Sequence, residues 1–416
     1  MTFSRSNRRV TSALLLTLTL GGCQSTTVKI TEEAPELVLE LPAGNAEIAS
    51  ATTSSRYFRT RKRTSTHPEA LLENAKTLPY KGWMAIHFID VGQGDAALLE
   101  FPCGIAMVDL GGEDSDNARL THYLEAFFEV RPALDNTFDV VYLSHSHLDH
   151  MRGVSLLKES YNVRAMVDSG VYLEGGADLQ QEFRNWVKQK KGSTKAVSTH
   201  KIEYTDGLSD ASIDRISNCA GHQADPVFTA VTGGWSTQKG AFRSPNNHSL
   251  ILRLDFGPTS FLFTGDLEDE KGRGGIPEAL YYYQEDLSIF DVDIWKVGHH
   301  GSSNGISEDL EKAMTPKVAL IGVGNPEESA GAYGYGHPSD ISINMLVDDL
   351  LGVKCRRQRK IVQTFSGKGA VPSTRSLDHA VFATGWDGDI LMLIGPNGEM
   401  EVRIAGSNQN QLTTCS

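Results

Sequence analysis

Six residues constrain this chain more than any others: His145-Ser-His147-Leu-Asp149-His150. They follow directly on an apolar run of strand length, Asp139-Val-Val-Tyr-Leu143. Side chains two apart in an extended segment point the same way, so His145 and His147 can bind one ion. The chain then turns toward a helical stretch, and Asp149 and His150 can face a second ion. Imidazole nitrogens with carboxylates suit Zn²⁺, Mn²⁺ or Fe²⁺.

Two further strand ends have the same design. Ser260-Phe-Leu-Phe-Thr264 runs into Gly265-Asp266, and Asp291-Val-Asp-Ile-Trp-Lys-Val297 runs into Gly298-His299-His300-Gly301. Three apolar strands that each deliver a ligand-type side chain to one edge can build a binuclear site. In that site Asp266 is the expected bridging carboxylate. At least one of His299 and His300 is an expected ligand. His299 is nearer the strand end, and His300 is the alternative, free otherwise to hold substrate or leaving group. Asp95, in the loop Gly92-Gln93-Gly94-Asp95, is expected to accept a hydrogen bond from a metal-bound histidine.

The surrounding pattern is that of a layered α/β protein. Apolar runs of strand length fall at 85–91, 97–101, 105–109, 140–143, 165–167, 249–254, 260–264, 294–297 and 318–322. Helical spacing covers 117–130, 153–159, 179–190, 308–313 and 340–351, with Ser307 as an N-cap. This order suits two packed sheets with helices outside. The polar, Gly-rich stretch 193–246 reads as an insertion or long loop near the site. With 416 residues and a net charge of −13, the chain is unsuited to gripping nucleic acid by broad phosphate neutralisation. A nuclease is still compatible, because ions in a site can hold a phosphate locally.

Seven segments together resemble the metallo-β-lactamase superfamily, and within it the hydrolase domain of ComEC-type DNA-uptake proteins. They are Phe88-Ile-Asp90-Val-Gly92-Gln93-Gly94-Asp95-Ala96, Val108-Asp-Leu-Gly-Gly112, the cluster at 145–150, Asn246-Asn247-His248-Ser249-Leu250, Thr264-Gly-Asp266, Lys296-Val-Gly-His-His-Gly-Ser302 and Tyr335-Gly-His337-Pro-Ser339. The resemblance covers about residues 83–406 and implies an αββα sandwich of two mixed β-sheets. It also implies two divalent ions, Zn²⁺ first and Mn²⁺ as the alternative. The ligands it implies are His145, His147, Asp149, His150, Asp266 and the 299–300 pair. Many members take a third histidine for the first ion from a loop before a late core strand. His248 stands in that region, as a ligand or as a strand-edge histidine facing solvent. The resemblance places His337 beside the metals, to bind a phosphate oxygen or protonate a leaving group. The membrane channel of the uptake proteins has no counterpart here.

The N-terminus reads as an export signal. Arg5, Arg8 and Arg9 precede an apolar run from Val10 to Leu20, too short to span a bilayer comfortably. Leu20-Gly21-Gly22-Cys23 resembles a bacterial lipoprotein signal, with Cys23 as the lipid-bearing residue. Residues 23–82 read as a flexible tether, including the basic cluster Arg56-Tyr-Phe-Arg-Thr-Arg-Lys-Arg63. The hydrolase domain is expected at 83–406 and a disordered tail at 407–416. Export permits disulfides among Cys103, Cys219, Cys355 and Cys415, with no pairing legible.

These readings converge on a binuclear hydrolase of the cell envelope, periplasmic or on the outer membrane. The expected reaction is phosphodiester or nuclease cleavage by a metal-bridging hydroxide, with Asp149 and His337 as catalytic residues and a phosphodiester, DNA included, as substrate. The alternatives are hydrolysis of a phosphorylcholine ester, lactone or β-lactam, or a non-catalytic metal-stabilised binding protein.

Overall fold

The protein is described from a computed structural model. It describes residues 68–76 and 81–415, apart from 115–116, 218, 220, 222 and 408, together with two strand backbones at Leu15–Leu20 and Gln24–Lys29. The chain divides into two units, Met1–Tyr57 and Phe58–Ser416. In the first, the two strands pair antiparallel. Cys23 and the basic cluster at 56–63 lie outside the described residues. Among the described residues no helix is long and apolar enough to cross a membrane.

The second unit holds the expected four layers. One sheet has eight strands, in the order Ser193–Ala196, Ala165–Asp168, Val140–Leu143, Gly104–Leu110, Ala96–Phe101, Met84–Phe88, Ile390–Ile394 and Met400–Ile404. The other has six: Pro226–Thr232, Ile251–Phe256, Thr259–Phe263, Ile294–Lys296, Val318–Ile321 and Val381–Ala383. Both mix parallel and antiparallel pairs.

Strand alternation explains the layering. In Ala96–Phe101, Ala97, Leu99 and Phe101 enter the core between the sheets, where Phe228, Leu252 and Phe261 meet them. Ala96 and Leu98 face the other way, into a cluster with Leu120, Leu124 and Phe127 of the helix Ala118–Glu129. The second sheet repeats this pattern: Phe261 and Phe263 point inward, while Leu262 packs outward with Ile276 and Leu310 from two covering helices.

Several expectations are corrected. A helix, Glu69–Ala75, lies inside the stretch read as tether, and its Leu72 is fully buried in the cluster under Ala118–Glu129. The stretch 193–246 is not all loop, because Ser193–Ala196 and Pro226–Thr232 form outer strands of the two sheets. The stretch 407–416 is not a loose tail. Leu412–Thr414 pairs with Arg356–Thr364, and a Cys355–Cys415 disulfide closes the end. A second disulfide joins Cys103 to Cys219.

Candidate metal centre

The registers bring the key loops to one edge. Phe88 lies beside Ala97, Ala97 beside Val108 and Val108 beside Tyr142, so Asp95, Asp109 and residues 144–150 leave the first sheet together. Leu252, Phe263, Lys296 and Leu320 are aligned in the second sheet, so residues 246–249, Asp266, His299 and His300 leave it together. Gly265 turns the chain at φ +53° with Ser249 packed against it, which favours glycine there. Gly111 admits the start of the helix Leu148–Met151: a Cβ on it would stand 1.6 Å from the Asp149 carbonyl oxygen.

Hydrogen bonds set the ring tautomers, and the tautomers define the site. His150 donates from Nδ1 to Asp109 Oδ2 at 2.8 Å, and His300 donates from Nδ1 to the Gly322 carbonyl at 2.7 Å. Both therefore present an Nε2 lone pair, and the two Nε2 atoms stand 3.3 Å apart. Asp266 Oδ2 lies 3.0 Å from His150 Nε2 and 3.2 Å from His300 Nε2, with Asp149 Oδ2 3.3 Å from the latter. With both Nε2 atoms deprotonated, two lone pairs and two carboxylates converge. A cation satisfies such a set.

The same logic holds beside it. Ser144 Oγ donates to Asp109 and so accepts from His145 Nδ1, 3.0 Å away. His147 donates from Nε2 to Glu174 at 3.0 Å. The remaining atoms, His145 Nε2 and His147 Nδ1, face each other at 3.1 Å. A cation between them would serve both nitrogens. The charge of Asp266 also acts on His145, and the residues fit metal binding.

The electrostatics agree. Burial, then His150 and His147, hold His145 well below its ordinary pKa, in the neutral form a ligand needs. Burial opposes charge on His300 too, yet Asp266 and Asp95 outweigh it and lift its pKa to about 10. His150 is raised in the same way, burial being overcome by Asp266 and Asp109. These carboxylates attract a proton where a divalent ion would otherwise sit.

The Asp95 expectation is corrected. Donor atoms of Asp95, His150, Asp266 and His300 lie within 4.8 Å of one another. Asp95, however, stands on the Nδ1 side of the rings, at 3.6 Å from His150 and 3.8 Å from His300. Its close partner is the buried ammonium of Lys296. Asp109 takes the orienting role instead. Lys296 also donates to the Gly265 carbonyl at 2.9 Å and lies 3.5 Å from Asp266, so it ties the bridging loop to the first sheet. Burial lowers its pKa, but Asp95 and Asp266 prevail and hold it above the ordinary lysine value.

Both readings of His248 are also corrected. It is fully buried, accepts from the Trp235 amide at Nδ1 and donates from Nε2 to the Phe242 carbonyl, each at 3.0 Å. With both nitrogens engaged it braces a loop; it neither binds an ion nor faces solvent. Of the 299–300 pair, His300 reaches Asp266. His299 donates from Nδ1 to Asn304 at 3.0 Å and lines the cleft. His337 receives the Gln93 amide at Nδ1, 3.4 Å away, and its ring centre is 5.3 Å from that of His299. The cleft over these groups encloses about 540 Å³, and Arg152, Glu113 and Tyr335 also line it.

A model of the metallo-beta-lactamase superfamily matches residues 89–324. The chain belongs to the metallo-β-lactamase superfamily. The matched segment holds every site group described above except Tyr335 and His337. The chain is 24% identical over 307 residues to ComE operon protein 3 of Bacillus subtilis, a match covering 68% of this chain and 34% of that protein. It is 34% identical over 82 residues to Recombination protein 2 of Haemophilus influenzae, covering 20% and 9%. The chain thus spans about a third or less of the curated relatives it matches. Among solved metallo-β-lactamase-type structures, it resembles a putative metal-dependent hydrolase from Parabacteroides distasonis at 15% identity and TM-score 0.36. That match covers 65% of this chain and 91% of the other. A diphosphatase of the PhnP family matches at 10% identity and TM-score 0.29, covering 57% and 85%.

Proposed function

We propose that this hydrolase is a binuclear phosphodiesterase acting on DNA or a related diester. The observation that carries this reading is the convergence of His145 on His147, and of His150 and His300 on Asp149 and Asp266, beside a cleft lined by Arg152, His299 and His337. His145 and His147 would hold the first ion, and Asp149, His150 and His300 the second. Divalent ions bound there would supply an activated water and neutralise charge on phosphorus.

The chain's own residues then have defined tasks. Gln93 donates to His337 Nδ1, which leaves His337 Nε2–H to donate to a phosphoryl or leaving oxygen. Burial, then His299 and His300, hold the His337 pKa well below its ordinary value, which favours this hydrogen-bonding role over proton donation. Arg152 brings positive charge to the wall that a diester would lie against. Similarity to ComE operon protein 3 and Recombination protein 2 supports DNA as the first substrate to test. We also read the chain as an envelope lipoprotein anchored through Cys23, on the signal-like residues that precede it.

The test uses purified protein loaded with Zn²⁺ or Mn²⁺ on bis-p-nitrophenyl phosphate and single-stranded DNA. Turnover is expected, with a loss of at least about a hundredfold in Asp149→Ala. If both substrates stay intact with the native chain, or Asp149→Ala behaves identically, the reading fails.

A further inference from the structure

The first ion, as placed above, has two imidazoles and the bridging Asp266, and His248 does not complete it. Two residues earlier, a pair of buried asparagines has the same chemistry and opposite states of satisfaction. Asn247 is fully used: its Nδ2 donates to Ala241 O and Glu268 Oε2, and its Oδ1 accepts from the amides of Glu268 and Gly275. Asn246 is 4% exposed, and its Nδ2 donates to Glu268 Oε1 at 3.0 Å. Its Oδ1 is buried and has no hydrogen-bond partner among the described residues.

Which way the Asn246 amide points is dictated by chemistry. Glu268 already receives Asn247 Nδ2 and Asn304 Nδ2, and a carboxylate in that position requires a donor. The NH₂ end must therefore face Glu268, and the oxygen must face away. Asn246 lines the cleft with His147 and Asp266. A buried carbonyl oxygen without a partner is destabilising unless a donor or a cation meets its lone pairs. Here the neighbouring groups are ligands for a cation.

We infer that Asn246 Oδ1 is a ligand of the first ion, held in place by Glu268. This rests on the two-ion reading of the site but not on any substrate. It makes the first site one imidazole poorer and one neutral oxygen richer than a three-histidine site. Oxygen ligands favour harder ions such as Mn²⁺ over Zn²⁺. The same network explains Glu268: its carboxylate also lies 3.3 Å from His299 Nδ1, so one residue sets the position of Asn246 and steadies His299.

The experiment measures metal, not turnover. The full chain is stripped with chelator, titrated with Zn²⁺ or Mn²⁺ by calorimetry, and analysed for bound metal after gel filtration. The native chain is expected to hold two ions, and Asn246→Ala to retain the second while losing at least about tenfold in affinity for the first. Asn246→His is expected to keep two ions and shift the Zn²⁺-over-Mn²⁺ preference of one site by about tenfold or more. This variant decides the matter if Asn246→Ala does not fold. Unchanged first-site affinity in folded Asn246→Ala, or an unchanged preference in Asn246→His, overturns the inference. Lost turnover with normal metal binding would count against the phosphodiesterase reading alone.

Discussion

At the scale of the residue, the centre depends on groups that never touch an ion. Asp109 accepts from the Ser144 amide and hydroxyl, both at 2.7 Å, and from His150. It sits at φ +52° at the end of a buried strand, where its carboxylate can reach all three donors. Asp109→Asn keeps the shape and removes the charge that holds the His150 tautomer. Calorimetry should show second-site metal affinity falling by about 10–100-fold. Unaltered affinity would mean that Asp109 is only a structural brace. Asp109 and Lys296 were legible only in part. Each is a charged residue within an apolar strand, an arrangement that signals a buried partner. Spacing cannot name that partner, because Asp95 lies on another sheet.

At the scale of the element, strand register carries the argument. Ile294 points into the space between the sheets, so Lys296, two residues on, points there as well and meets Asp95. The short helix Glu308–Lys312 shows the opposite case, a buried charge without a buried cation. Glu311 is 2% exposed, and its Oε1 has no hydrogen-bond partner. Burial, then Asp348 and Glu308, raise its pKa from 4.5 to about 7. The folded protein therefore holds this proton more tightly than the unfolded chain. The stabilising effect is complete below pH 4.5 and fades as pH rises through about 7. Glu311→Gln, permanently neutral, should be more stable than the native chain by about 1 kcal/mol at pH 8 and no more stable at pH 4. Thermal melts at the two pH values would show this, and an equal shift at both would contradict it. The C-terminal strands from Arg356 onward escaped prediction for a related reason. Arg356-Arg-Gln-Arg-Lys360 has too little alternation to announce a strand, yet it pairs on both sides.

At the scale of the whole molecule, two sheets each contribute half of the centre, and the sandwich core between them sets its geometry. The disulfides reinforce this frame: Cys355–Cys415 secures the last strand, and Cys103–Cys219 ties a hairpin turn to the loop 209–225. Such bonds fit an oxidising compartment, and the lipid anchor proposed at Cys23 would place the chain in one. In a bacterial host, the native chain should label with palmitate and sediment with membranes. Cys23→Ser should abolish the label and leave the protein in the soluble fraction. Equal labelling of both forms would exclude this anchor. By itself the sequence determined which ligand-type side chains stand at strand ends, at 145–150, Asp266 and the 299–300 pair, because period-two alternation and glycine turns are local properties. Only the tertiary structure decided that His300 reaches Asp266, that His248 is a brace, that Asp109 replaces Asp95 as the orienting acceptor, and that Asn246 keeps an open oxygen. Each of these depends on what lies opposite a side chain across the fold, and no local pattern encodes that.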